Sequence, residues 1–312
     1  MPNINDCDIA VIGAGTAGLT AALFAARYGM KTIVLEQMAP GGQVINAEHI
    51  ENFPGLKDGI VGFEYGLLLQ EQAEASGAQM QMSEVSGVRL EDPFCIVATY
   101  DGDFRTRAVI VTAGSTLRRL GVPGEKELNG RGVSYCATCD GAFFSNQVVG
   151  VVGGGDSALD EAMTLTQFAS EVHILHRRDS FRGQQLLQDR VISEPKVEVL
   201  WNTEVERVLG EDEVIGVSTR DVVTGETSQV DLSGLFVYVG LEPSTPFLKD
   251  LLPLDHAGHI PTDMWMATDV PGIYAAGDIR QHSAAQLITA AGDGATAAIA
   301  AARYIQGRNW PS

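Results

Sequence analysis

The chain has 312 residues, 45% of them hydrophobic and 20% charged, which suits a folded chain of about two domains and not a disordered one. Its formal net charge of −19 excludes the basic face that nucleic acid or an anionic membrane surface requires. No apolar run approaches the roughly 18 residues that a membrane helix needs.

The opening Met1-Pro2-Asn3-Ile4-Asn5-Asp6 is polar and acidic, with neither the basic start nor the apolar core of a signal peptide, so a cytoplasmic location is expected. Residues 8–12 are a short β-branched run and read as a buried strand. Gly13-Ala14-Gly15-Thr16-Ala17-Gly18 follows, then an Ala- and Leu-rich helix over 19–28 that Gly29 stops. Residues 31–36 form a second strand ending in Glu36. Residues 79–107, rich in Val, Thr and charge, read as antiparallel strands, and 108–114 as a buried strand ending in glycine. Val122-Pro123-Gly124 marks a crossing, with a hinge near 115–124.

After Cys136-Ala137-Thr138-Cys139-Asp140 the first pattern returns. Residues 148–152 are a strand, Gly153-Gly154-Gly155-Asp156-Ser157-Ala158 a turn, 159–168 a helix and 171–176 a strand. Residues 197–231 again read as antiparallel strands, with a hairpin at Thr224-Gly225, and 235–240 as a buried strand. Glu242-Pro243-Ser244-Thr245-Pro246 marks the second crossing, with a hinge near 241–247. The remaining strand at 272–278 and an Ala-rich helix to about Tyr304 have no βαβ start of their own, so they return to the first domain. The expected fold is α/β. It has two Rossmann-like dinucleotide-binding domains, each a parallel sheet with an antiparallel β addition. The second, residues 118–246, is inserted into the first, residues 1–117 and 247–312.

In the first G-x-G-x-x-G, Gly13 makes the tight turn, Gly15 lets backbone approach a pyrophosphate, and Gly18 lets helix and strand pack closely. Glu36 stands where a carboxylate accepts hydrogen bonds from a ribose diol. The competing reading is a tight turn without ligand. The second loop has Gly153, Gly155 and Ala158 in the same places. Its second strand ends not in an acid but in His176-Arg177-Arg178, with Arg182 close behind. Arginines here suit a ribose 2′-phosphate, hence NADPH over NADH, against the alternative of a solvated basic stretch.

Of four cysteines, Cys7 and Cys95 have apolar neighbours and read as buried small residues. Cys136 and Cys139 form a C-x-x-C, whose spacing permits an exchangeable disulfide and a lowered thiol pKa. Asp140 is placed to carry a proton for a thiolate. Inert thiols and structural zinc compete with this reading. His173 and His176 do not have finger spacing, and no metal is expected.

The combination closely resembles the low-molecular-weight thioredoxin reductases over nearly the whole chain. The resemblance is carried by Gly41-Gly42-Gln43, Glu51-Asn52-Phe53-Pro54-Gly55, Cys136-Ala137-Thr138-Cys139-Asp140-Gly141, both glycine loops, His176-Arg177-Arg178-Asp179-Ser180-Phe181-Arg182 and Ala275-Ala276-Gly277-Asp278. It implies FAD held by Gly13, Gly15, Gly18 and Glu36, with Gln43, Asn52 and Gln286 near the flavin ring and Asp278 on the ribityl chain. It implies NADPH held by Gly155, Asp156, Ser157, His176, Arg177, Arg178 and Arg182. Cys139 would face the flavin, Cys136 would attack a thioredoxin-like protein disulfide, and the protein would be a homodimer whose inserted domain swings about its two hinges. The chain departs from the pattern at Ala285, where many relatives carry arginine, and in Arg308-Asn309-Trp310-Pro311-Ser312, where Trp310 is a candidate to pack on a flavin, its own or its partner's, against the alternative of a frayed tail. Alternatives are reduced ferredoxin as donor, a flavin-dependent dithiol oxidase, and a flavin-binding redox sensor without enzymatic turnover.

Overall fold

In the computed structural model, which describes residues 4–307, the first β-branched run forms the strand Ile9–Ile12, buried at every position. It is the centre of a five-stranded parallel sheet in the order Ile273–Ala275, Ala108–Val111, Ile9–Ile12, Thr32–Glu36, Gln79–Met82. Its inner strands are covered on both faces, which is why they read as unbroken apolar runs. One face is covered by the helices Thr16–Arg27 and Leu287–Ile305, which meet through small residues: Ala17, Ala21 and Ala25 against Ala297, Ala298 and Ala301. A Cβ at Gly294 would overlap the Ala17 carbonyl, so the helices come this close only because that residue is glycine.

The second sheet repeats the order with its own strands: Val133–Ser134, Gly234–Tyr238, Val148–Gly153, Glu171–Leu175, Val197–Leu200, all parallel. The edge position filled in the first sheet by the returning chain is filled here by the strand just before the C-x-x-C. Gln79–Met82 and Val197–Leu200, expected among the antiparallel strands, instead close the parallel sheets. Each follows a helix, Gly62–Ala75 or Gln185–Ser193, and a helical crossover delivers a strand parallel to its neighbour. The antiparallel additions are Val85–Glu91, Phe94–Thr99 and Asp103–Thr106 in one case, joined by Ile4–Asp6 in parallel, and Thr203–Leu209, Gly216–Asp221 and Thr227–Asp231 in the other. Asp221 caps the second hairpin, accepting the N–H groups of Val223 and Thr224, both at 2.8 Å.

The chain divides into Met1–Thr116 with Glu242–Ser312, and Leu117–Leu241. The return crossing therefore falls at 241/242 rather than 246/247. Residues 242–246 stay with the first unit because Ser244 N–H donates to Gly114 O at 3.0 Å and the Thr245 hydroxyl to Gly258 O at 2.8 Å. The connecting strands Ser115–Leu117 and Leu241–Pro243 pair with each other. The rest of the expected first hinge is fixed within the second unit, where buried Glu125 accepts Leu120 N–H at 2.8 Å and Gly121 N–H at 2.7 Å. Among the described residues, no helix is long and apolar enough to cross a membrane. Trp310 lies outside the described residues.

Candidate functional site

Both helices that follow a glycine loop begin earlier than their apolar pattern suggests, at Thr16 and Asp156, because the middle glycine of each loop is the N-cap. In the first loop, Gly13 has φ +100° and a Cβ there would lie 2.6 Å from Thr112 O, while a Cβ at Gly18 would overlap Gly13 O. Those two glycines are fixed by strand–helix packing whatever the loop binds. Gly15 is different. The nearest atom to a Cβ there is Gly42 Cα at 3.9 Å, and no side chain caps the helix it opens. Uncapped N–H groups at a helix start that no side chain fills form an anion cradle.

Glu36, at the end of its strand, is bound to that loop: Oε2 accepts Ala14 N–H at 2.8 Å and Oε1 accepts Met38 N–H at 2.9 Å. Gly41 N–H donates to Ala14 O at 2.8 Å, which brings the segment carrying Gln43 alongside. Gln43 Nε2 donates to Ser115 O at 2.9 Å, and Asn52 Nδ2 reaches Gln286 Oε1 at 3.4 Å. Gln286 is also the N-cap of the last helix, in a capping box with Thr289. Asp278 accepts the Ser283 hydroxyl at 3.1 Å, and burial holds its carboxyl above the ordinary carboxylate range. Glu36, Gln43, Asn52, Asp278 and Gln286 all belong to the first unit. Ala285 sits beside Gln286 with φ +51°, its N–H on the Ser283 hydroxyl at 3.2 Å.

Beneath the Asp278 turn lies a pair not anticipated from sequence. Arg280 binds Asp293 through both carboxylate oxygens, at 2.6 and 3.0 Å, and Gly277 N–H donates to Asp293 at 3.2 Å. The signal was available: Asp293 is an acid inside an otherwise Ala-rich, buried helix.

The second loop repeats the division of labour. A Cβ at Gly155 would meet nothing within 4 Å, and its helix too lacks a side-chain cap. Arg177, Arg178 and Arg182 are exposed, and among the described residues none has an acidic partner. Arg182 N–H donates to Gly154 O at 2.8 Å, tying the arginine segment to the loop. Ser157 is exposed beside it. His176, grouped with the arginines on sequence grounds, does not join them. It is 4% exposed, backs Gly154, packs on Phe181 and Trp201, and donates from Nε2 to Ser180 O at 3.0 Å. Burial lowers its pKa, so the ring stays neutral and supports the loop from below. Asp156 also looks inward, accepting Gln184 N–H at 2.7 Å and Gln184 Nε2 at 3.0 Å.

Cys136 and Cys139 are joined in a disulfide. Cys136 caps the four-residue helix Ala137–Asp140, its Sγ accepting Cys139 N–H at 3.1 Å. The buried Ser134 hydroxyl donates to Asp140 at 2.6 Å and accepts Cys136 N–H at 3.1 Å, so the acid and the disulfide share one small network. Cys139 is exposed and Cys136 half-buried. Cys7 and Cys95 are buried and free, and burial pushes the Cys7 thiol up to about 11.

Both cradles fit a dinucleotide, one ending in an acid and one in free arginines. The chain matches the family model of the pyridine nucleotide-disulphide oxidoreductases over residues 7–295. It is 45% identical over 300 residues to the thioredoxin reductase of Treponema pallidum, covering 96% of this chain and 97% of the relative. It is 43% identical over 300 residues to that of Bacillus subtilis, covering 96% and 95%. The crystal structure of Lactococcus lactis thioredoxin reductase superposes with a TM-score of 0.95 at 42% identity, covering 96% of this chain and 99% of that one.

Proposed function

Because the chain belongs to the pyridine nucleotide-disulphide oxidoreductases, and within them to the low-molecular-weight thioredoxin reductases, we propose that it reduces the disulfide of a thioredoxin with electrons from NADPH. The observation that carries this reading is the exposed Cys136–Cys139 disulfide, held beside Asp140 in the unit that also bears the arginine-flanked glycine loop.

The cofactors are FAD and NADPH. FAD, when bound, supplies the chemistry that converts a hydride from NADPH into an electron pair for a disulfide. Gly15 and the helix Thr16–Arg27 would hold its pyrophosphate, Glu36 its ribose diol and Asp278 its ribityl chain. Gln43, Asn52 and Gln286 would line the ring. In the second unit Gly155 and Ser157 would hold the NADPH pyrophosphate, with Arg177, Arg178 and Arg182 on the 2′-phosphate. Asp156 and His176 keep that loop in shape.

Reduction of Cys136–Cys139 takes two electrons and two protons. The Cys136 thiolate attacks one thioredoxin sulfur, forming a mixed disulfide and expelling the other as a thiolate, which takes up a proton. Cys139, as thiolate, then attacks Cys136 Sγ, re-forms the internal disulfide and releases the second thioredoxin thiolate, which is protonated in turn. Asp140, hydrogen-bonded through Ser134, carries protons between the thiols and water.

Replacing Arg177 and Arg178 together by alanine should raise the KM for NADPH roughly tenfold to a hundredfold and leave that for NADH nearly unchanged, since a charge-assisted hydrogen bond to phosphate is worth about 1.5–3 kcal/mol. Anaerobic titration of flavin absorbance with each nucleotide reads this. Equal bleaching of the unmodified protein by NADH and NADPH would sink the 2′-phosphate assignment. Bleaching by neither, but by reduced ferredoxin, would replace the donor. The three unpaired arginines favour NADPH, because ferredoxin leaves them without a role.

Homodimerisation is part of this reading. The helix Gly62–Ala75 leaves Phe63, Leu67 and Leu68 exposed, with Val61 at its N-cap. An apolar stripe of this kind wants a covering surface. Sedimentation should give twice the monomer mass, and Leu68→Glu should shift it to monomer. A monomeric unmodified protein removes the dimer from the reading. A cytoplasmic location suits two buried, unpaired thiols and a need for NADPH, and cell fractionation tests it.

A further inference from the structure

The helix that carries the disulfide is only Ala137–Asp140. One turn cannot hold its own shape in water, so its orientation has to come from contacts outside it. Those contacts converge on one atom. Ala137 N–H, the first amide of the helix and fully buried, faces both Glu161 Oε2 at 3.1 Å and the Tyr238 hydroxyl at 3.0 Å. Tyr238 is itself hydrogen-bonded to Glu161, with the phenol O–H as donor. Glu161 lies on the helix Asp156–Leu165 and Tyr238 ends the strand Gly234–Tyr238, so three elements of one unit are fastened at this point.

Building on the reductase reading, we propose that Glu161 and Tyr238 are positioning residues for the redox disulfide. They clamp the amide next to Cys136 and so hold the two sulfurs at bonding distance. Tyr238 is 7% exposed, and burial with the neighbouring Glu161 keeps its hydroxyl protonated, so it remains a donor. The other titratable group that acts on it is Asp140, from the disulfide helix. Neither residue belongs to a spacing motif, and neither is placed to touch substrate. Their effect is on the effective concentration of one thiol at the other, which falls when a frayed turn lets the sulfurs separate.

The experiment uses the full-length flavoprotein equilibrated in buffers of reduced and oxidised dithiothreitol. One S–S bond breaks in the protein and one forms in the reagent, with two hydrogens transferred, and the fraction of dithiol is read after acid quenching and alkylation. Tyr238→Phe and Glu161→Ala should each lower the reduced-to-oxidised ratio at half-reduction roughly fivefold to tenfold, the range that removal of one hydrogen bond covers. Glu161→Gln, which keeps an acceptor, should stay within about threefold of the unmodified protein. Thioredoxin turnover should fall in the same order. If both Tyr238→Phe and Glu161→Ala leave the midpoint unmoved, the pair only satisfies its own burial and the inference fails, even if the melting temperature drops. Because dithiothreitol replaces both donor and acceptor, a shifted midpoint in a protein inactive with thioredoxin would refute the reductase reading and leave the clamp standing.

Discussion

Cys136→Ser is expected to lose thioredoxin-dependent NADPH consumption by at least roughly a thousandfold while NADPH still bleaches the flavin absorbance. A serine hydroxyl at neutral pH is neither a nucleophile toward a disulfide nor able to re-form one, so electrons delivered to the protein have no exit. Cys139→Ser should be as inactive, and the two variants should differ in what accumulates. With Cys139 replaced, the Cys136 thiolate still attacks thioredoxin, but no second thiol resolves the product, so a covalent adduct builds up on non-reducing gels. With Cys136 replaced, the remaining thiol is the one expected to face the flavin, and the adduct should be scarce. Adduct formation by the Cys136→Ser protein alone would move substrate attack to Cys139. Turnover surviving either replacement would mean that electrons leave by a route other than this disulfide.

Asp293→Ala is expected to cost about 3–5 kcal/mol, because it leaves a buried guanidinium without its counter-charge. The side chains of Arg280 and Asp293 are 18% and 9% exposed, and Arg280 reaches both carboxylate oxygens. The same carboxylate accepts Gly277 N–H, one residue before Asp278, so its loss frees the turn expected to hold the ribityl chain. Thermal unfolding and the flavin content of the purified protein would both fall. Asp293→Asn should be intermediate in flavin content, since an amide oxygen still accepts from Gly277 but does not balance the arginine. An Asp293→Ala protein with unchanged melting temperature and full flavin content would show that water replaces the carboxylate at no cost.

Much of the candidate site is legible because its chemistry is local. A turn glycine, an acid ending a strand, an arginine cluster and a C-x-x-C each depend on residues a few positions apart, and backbone geometry translates such spacing directly into proximity. What spacing alone did not show depended on packing. His176 is adjacent to Arg177 in sequence, yet one strand step turns it inward beneath Gly154, where burial keeps it neutral. Gln79–Met82 carries the polar composition of an antiparallel edge, but the helix before it delivers it to the parallel sheet. Which cysteine faces solvent is decided by what covers a one-turn helix, which no spacing rule encodes.

The two βαβ units, the contrast between Glu36 and the arginines, and the redox pair are each written in a short stretch whose conformation is largely its own, so they can be read along the chain. It took the fold to separate Gly15 and Gly155, where a Cβ would fit, from Gly13 and Gly18, where it would overlap backbone. Only the fold joined Arg280 to Asp293, and Ala137 N–H to a tyrosine hydroxyl 101 residues away. Such partners are chosen by burial: a charge or an amide removed from water has to find its complement wherever the fold brings one, and distance along the chain plays no part in that choice.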